Sequence, residues 1–367
     1  MVELGVFLPV TNNGWIISKN SPQFLPTYAL NREICAVAER IGFRYVFSMA
    51  KWRGFGGETD FWKYSIESMT LMAGLAPVTQ NLRLIGSVAP ALIHPAVFAK
   101  LAATLDDIAG GRLGINIVSA GNRGEYEQMG LYPENFEAFR YDYTEEWLTL
   151  VKRLWTEDSV TVQGQYFTLA DCQSWPKPVQ GVPPIVCATS SERGFQFIAD
   201  HCTDGFFGGI TVDAKKATSR RIKEVAATRD RTVRTHTLVS LILGDTDADA
   251  QRLLEHYEAG ADVEAIANVY NLRVRDKDAA QSAGYRERFA SSTRLFYGGV
   301  PFVAGPERVA AMVEELAVDG QVDGVMFVFP DFVDGLTRFG EQVMPLLRQR
   351  GVLGPAPAGA GGANGHA

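Results

Sequence analysis

Residues 82–119 read LRLIGSVAPALIHPAVFAKLAATLDDIAGGRLGINIVS. Leu82–Val88 and Leu113–Ser119 are short, nearly continuous apolar runs rich in Ile, Leu and Val. Such runs suit strands covered on both faces, as in a parallel sheet. Between them, Ala96–Ile108 has the amphipathic spacing of a helix. Strand, helix and strand in this order predict a parallel βαβ unit.

The same alternation extends in both directions. Further apolar runs lie at Leu4–Val10, Tyr45–Met49, Pro184–Ala188, Asp204–Gly208, Thr237–Leu243 and Gly324–Phe329. Helical patterns lie at Leu30–Ile41, Ser65–Ala76, Tyr143–Leu154 and Pro306–Leu316. Eight β runs alternating with helices predict a (β/α)8 TIM barrel, with a doubly wound sheet plus a helical domain as the alternative. The chain has 367 residues, which exceeds the minimum for such a barrel. The surplus falls near residues 50–64, 120–142 and 255–300, each following a predicted strand. In a barrel those loops wall the chemical face. Residues 1–353 are therefore read as one domain with loop insertions, and 255–295 as a poorly patterned lid. The Gly/Ala/Pro-rich tail 354–367 has little to bury and is expected to be disordered.

Composition removes several function classes. Hydrophobic residues make up 46% and charged residues 21%, as in a soluble globular protein. The net charge of -7 argues against a nucleic-acid partner, yet leaves a small anion open. No apolar run is long enough to span a bilayer, and no signal-peptide pattern opens the chain. Cys35, Cys172, Cys187 and Cys202 form no CxxC pair, so a reduced, cytoplasmic protein is expected. Five histidines without a clustered motif argue against a metal centre. P-loop, GxGxxG and GxSxG motifs are missing. Arg53-Gly54-Phe55-Gly56-Gly57 is by itself a weak ligand signal.

One local feature has a direct physical rationale. The run ending at Ala188 passes through Thr189-Ser190-Ser191-Glu192-Arg193-Gly194 into a helical pattern over Phe195–Asp200. Free N–H groups, hydroxyls and the helix dipole together favour an anion or phosphate, although a plain N-cap reads the same way.

Several segments resemble the bacterial-luciferase-like, flavin-dependent monooxygenases. They are Gly5-Val6-Phe7-Leu8-Pro9, His94–Lys100, Thr104-Leu105-Asp106 and Gly110–Asn116. Within that family the chain is most similar to the pyrimidine (uracil) monooxygenase and riboflavin lyase group. Asn12-Asn13-Gly14-Trp15, Ser48–Gly57, Glu125–Gly130 and Arg140–Tyr143 carry this likeness. The resemblance implies a barrel enzyme that uses reduced FMN and O2, with a separate flavin reductase as partner and a homo-oligomeric assembly. It implies Met49, Lys51, Asn116 and Glu125 at the reacting centre. Ala50, Ser87, Arg140, Tyr141, Ser190, Ser191 and Gly194 join Lys51, Asn116 and Glu125 as flavin contacts. Asn116 offers a donor and an acceptor to a flavin edge, or else satisfies backbone at a strand end. Lys51 and Arg140 balance anionic flavin or phosphate, with a surface ion pair as the alternative for Arg140. His94 is either a base or a packed His-Pro turn.

The chain departs from the pyrimidine enzymes at Gly121, where they carry Trp, and at Ser87-Val88-Ala89-Pro90-Ala91-Leu92. Trp to Gly opens a wall of roughly 200 Å². A planar N-heteroaromatic larger than uracil is therefore expected, with riboflavin cleaved to lumichrome as the leading substrate. Pyrimidine ring opening is the alternative, and a deazaflavin-dependent oxidoreductase on the same barrel a further one.

Overall fold

The computed structural model describes residues 1–119, 123–274, 295–297 and 299–353. Among the described residues eleven strands occur, in chain order: β1 Glu3–Phe7, β2 Tyr45–Phe47, β3 Arg83–Val88, β4 Leu113–Ile117, β5 Val160–Gln163, β6 Thr168–Cys172, β7 Ile185–Ala188, β8 Asp204–Phe207, β9 Arg234–Leu243, β10 Phe302–Ala304 and β11 Gly324–Val328. Parallel pairing runs β1, β2, β3, β4, β7, β8, β9, β11 and back to β1, which closes an eight-stranded barrel. Each of the eight apolar runs overlaps one of these strands.

Helices α1 Tyr28–Ile41, α2 Ser68–Leu75, α3 Pro95–Ile108, α4 Arg123–Glu127, α5 Phe136–Thr156, α6 Glu192–His201, α7 Val212–Ala227, α8 Asp247–Ala259 and α9 Val263–Val274 follow in order. Local chemistry sets their ends. Thr27 caps α1 through the Leu30 N–H, and Gly42 ends it at φ 98°, a conformation costly for a residue with a Cβ.

Two local expectations need correction, and one hairpin goes unread in the sequence. The β5–β6 hairpin is antiparallel and partly exposed, so its short, half-polar segments lack the apolar continuity of the barrel strands. Helix α5 starts at Phe136 rather than Tyr143, which places Arg140 and Tyr141 on a helix instead of in a loop. The segment read as a poorly patterned lid is helical in α8 and α9 as far as Val274. Residues 275–294 and the tail 354–367 lie outside the described residues.

Side chains alternate in and out along each strand. A Cβ on Gly5 would lie 2.3 Å from the Tyr45 ring, and one on Gly114 would lie 3.0 Å from Ile85. Gly5 and Gly114 thus face the barrel interior. Phe7 and Asn116, two residues further on, face it at the C-terminal end. The N-terminal end is closed by polar groups. His236 Nε2 lies 2.7 Å from Asp204 Oδ1, and its Nδ1 lies 3.2 Å from the Tyr45 hydroxyl. Burial pushes the Asp204 carboxyl up, but the hydrogen bond and charge of His236 outweigh it and hold the pKa below the ordinary value. At the other end, Phe7, Phe47 and Phe206 form an aromatic floor, with centroids 4.8, 5.9 and 5.2 Å apart. Burying Phe7 and Phe47 contributes about 1.5–3 kcal/mol each. The floor blocks the barrel axis, so the mouth is a basin rather than a channel.

Candidate active site

The wall after β2 is built around one buried charge pair. Lys51 is 6% exposed, and its Nζ forms an ion pair with Glu125 on α4, itself 5% exposed. The second carboxylate oxygen, Oε2, accepts from the Trp52 backbone N–H at 2.8 Å. Lys51 Nζ also sits 4.3 Å from the Phe55 ring centroid and 5.5 Å from that of Trp62, within cation–π range. Met49 and Ala50 are half-buried just beyond the end of β2.

A second cluster joins β2, α2, β3 and β4. Ser87 Oγ donates to the Ser48 carbonyl at 2.5 Å, and Ser68 Oγ accepts from the Ser87 N–H at 2.7 Å. Because the Ser87 proton is committed, its lone pairs accept from Asn116 Nδ2 at 2.8 Å. This fixes which way the Asn116 amide faces. Its Oδ1 is left buried with no hydrogen-bond partner, although Asn116 is only 2% exposed. An orphaned acceptor at a barrel mouth suits a ligand N–H.

The third cluster lies where β7 meets α6. Ser191 caps α6 by accepting from the Gly194 N–H at 3.1 Å. Tyr141 Oη, from α5, lies 3.4 Å from both Thr189 Oγ1 and Ser191 Oγ. The Arg140 and Arg193 guanidinium carbons lie 5.2 and 5.6 Å from the Tyr141 ring centroid. A Cβ at Gly194 would fall 1.9 Å from Thr189 Oγ1, so only glycine permits the turn. Ser190 is exposed on the rim. Hydroxyls, guanidinium groups and free helical N–H groups thus converge on one small region, which suits a phosphate.

The structure therefore brings Lys51 to Glu125, Ser87 to Asn116, Tyr141 to Ser191, and Ser191 to Gly194. Sequence reasoning passed over Thr189 and Arg193 as ligands, although both stand in the quoted turn. It also missed an aromatic wall on the β1 side. Trp15 is 5% exposed and meets Phe7 edge-on at 4.6 Å and Trp62 at 5.5 Å. Trp62 Nε1 donates to the Gly14 carbonyl at 2.5 Å, whereas Trp15 Nε1 is buried with no partner. Asn12 and Asn13 hold the same wall through the Asp60 and Thr59 carbonyls, at 3.1 and 3.0 Å.

His94 is exposed at the N-cap of α3, where Nδ1 accepts from the Ala96 N–H at 3.3 Å. Its ring meets Phe167 edge-on at 5.6 Å, which matches the packed His-Pro turn. Gly121 lies outside the described residues. Among the described residues, no group of three or more His, Cys, Asp or Glu side chains could hold a metal ion. No described helix is long and apolar enough to cross a membrane.

A closed parallel barrel with a hydroxyl-capped turn after β7 and the Asn116 amide at its mouth defines a class. Residues 2–327 match the family model for luciferase-like monooxygenases, and the chain belongs to that family. It is a flavin-dependent monooxygenase. Among curated relatives, pyrimidine monooxygenase RutA of Klebsiella variicola (strain At-22) is 37% identical over 358 residues, covering 96% of this chain and 98% of the relative. RutA of Pseudomonas savastanoi pv. phaseolicola (strain 1448A / Race 6) is 39% identical over 353 residues, covering 95% and 97%. Among solved structures, riboflavin lyase RcaE with modified FMN and riboflavin superimposes with a TM-score of 0.84 at 21% identity, covering 96% of this chain and 93% of that one. Long-chain alkane monooxygenase LadA follows at 0.79 and 20%, covering 95% and 92%. At such identities the two solved structures show the fold alone.

Proposed function

We propose that this protein is an FMN-using monooxygenase that oxygenates a pyrimidine-type N-heteroaromatic, with reduced FMN supplied by a separate flavin reductase. The observation that carries the reading is the orphaned Asn116 Oδ1 beside Ser87 at the barrel mouth. It is an acceptor awaiting an N–H of an amide-bearing ring. Two lines favour a pyrimidine over riboflavin as substrate. Relatives 37–39% identical over nearly the whole chain are named pyrimidine monooxygenases, whereas the riboflavin lyase is 21% identical. Gly121, the departure that points to a wider pocket, lies outside the described residues.

The chain's groups fit a flavin mononucleotide. Ser191, Thr189, Tyr141, Arg193 and Arg140 would hold its phosphate. Asn116 and Ser87 would hold the ring edge. Met49, Ala50 and the Lys51–Glu125 pair would wall the ring. When bound and reduced, the flavin supplies the electrons that let one atom of O2 pass to the substrate. The protein's own share is positioning and exclusion of water. The floor of Phe7, Phe47 and Phe206 shuts off the barrel axis, and the paired Lys51 leaves no free amine to attract water. Neutralising Lys51 against Glu125 also keeps a net charge out of the basin.

The test is turnover. Purified protein, a flavin reductase, NADH and FMN are incubated with uracil, thymine and riboflavin under 18O2, and products are read by mass spectrometry. A product of uracil or thymine carrying one 18O atom is expected. Lumichrome from riboflavin with no pyrimidine product would restore the riboflavin reading.

A further inference from the structure

We propose that Trp15 is the residue that recognises the organic substrate, its indole N–H donating to an acceptor atom on the edge of the heterocycle. The inference rests on the pyrimidine reading above and adds to it a specificity-determining residue. Three observations lead there. First, the indole N–H is a donor with no acceptor role, and in Trp15 it is buried without a partner. Buried polar groups are nearly always satisfied, so an orphan calls for a cause. The neighbouring Trp62 shows how the same loop satisfies an indole that has a purely structural role, through the Gly14 carbonyl.

Second, Trp15 packs on the aromatic floor at the barrel mouth. Its ring meets Phe7 edge-on at 4.6 Å, and Phe7 faces the barrel interior as part of the aromatic floor. Third, the barrel order separates two halves of the mouth. The phosphate turn follows β7, and Asn116 lies on β4, its neighbour in the sheet. A flavin held at both would run from the turn after β7 past β4, with its ring against the groups that follow β2. Trp15 packs over the end of β1, and β2 and β3 stand between β1 and β4. The half of the basin beneath Trp15 and Trp62 is thus left for the second reactant. An orphan acceptor on one side and an orphan donor on the other match two ligands, each presenting one edge.

Trp15→Phe tests this, because it retains an aromatic ring against Phe7 and removes the N–H. Equilibrium dissociation constants are measured by calorimetry on FMN-loaded protein for uracil, 2-hydroxypyrimidine and 4-hydroxypyrimidine. Each analogue lacks one of the two uracil carbonyls. The variant should bind uracil roughly ten-fold more weakly, the loss expected of one removed hydrogen bond. One analogue should weaken equally and the other should be unaffected. The FMN dissociation constant should stay within about two-fold of wild type, which also reports that the barrel is folded. Unchanged uracil binding, equal loss on all three ligands, or a loss confined to FMN would each overturn the assignment. Wild-type protein that binds FMN but none of the three pyrimidines overturns the pyrimidine reading itself, and the assignment with it.

Discussion

Replacing Glu125 by Gln should expose how much the mouth depends on its buried charge pair. Lys51 and Glu125 side chains are 4% and 7% exposed, so Lys51 has almost no solvent to fall back on. Removing one member of a buried pair typically costs about 3–5 kcal/mol, because a charge is left without compensation. At about 2.1 cal/mol/K per residue, a chain of 367 residues unfolds with an entropy of roughly 0.8 kcal/mol/K. Glu125→Gln should then lower Tm by about 4–6 °C. The assay is calorimetric unfolding of wild type, Glu125→Gln, Lys51→Met and the double variant, all without flavin. Once both charges are gone, only apolar and neutral polar groups remain. The double variant should therefore lose much less than the sum of the two single losses. Single losses below about 1 °C, or a double loss equal to their sum, would refute the view that this pair is desolvated and mutually dependent.

Other sites make separate claims. Ser191→Ala removes the α6 cap and should cost about 1 kcal/mol in urea unfolding. It should weaken FMN roughly ten-fold yet leave riboflavin, which has no phosphate, unchanged in fluorescence titration. Gly194→Ala forces its Cβ against Thr189 and should reduce FMN affinity more than Ser191→Ala does, by the same titration. Asp262 is fully buried and accepts from Thr59 N and Oγ1 at 2.7 and 2.8 Å and from Ala265 N at 3.0 Å. Burial pushes its carboxyl up, but the hydrogen bonds from Ala265 and Thr59 outweigh it and hold the pKa below the ordinary 3.8. A depressed carboxyl stabilises the fold above its unfolded pKa and loses that contribution as pH falls through the folded value. Asp262→Asn should therefore be less stable than wild type at pH 7. The gap should close as the pH falls below 3.8 in a series of urea unfolding curves.

How far the sequence was readable follows from what each element asks of its neighbours. Barrel strands such as Leu113–Ile117 are buried on both faces, so they show as unbroken apolar runs wherever the chain is read. The β5–β6 hairpin stabilises itself by local pairing and half-exposes its side chains, and it leaves no such mark. Helix α5 begins at Phe136 because that ring is buried, at 1% exposure, whereas the charged positions after it obscure the helical period. Ser191 and Gly194 were visible because capping chemistry acts within one turn. Thr189 escaped notice because its partner Tyr141 lies 48 residues away along the chain.

Local sequence alone therefore determined the alternation of strands and helices, the caps, and the hydroxyl-rich turn after β7. Each depends on forces acting over a few residues: apolar period, backbone freedom and N-terminal N–H groups. Barrel closure decided the rest. It set Lys51 against Glu125 across 74 residues, turned Asn116 toward Ser87, and stood Trp15 over Phe7 with its N–H unanswered. Whether a polar atom is paired or orphaned depends on which distant groups exclude water around it. That exclusion exists only once the barrel has closed.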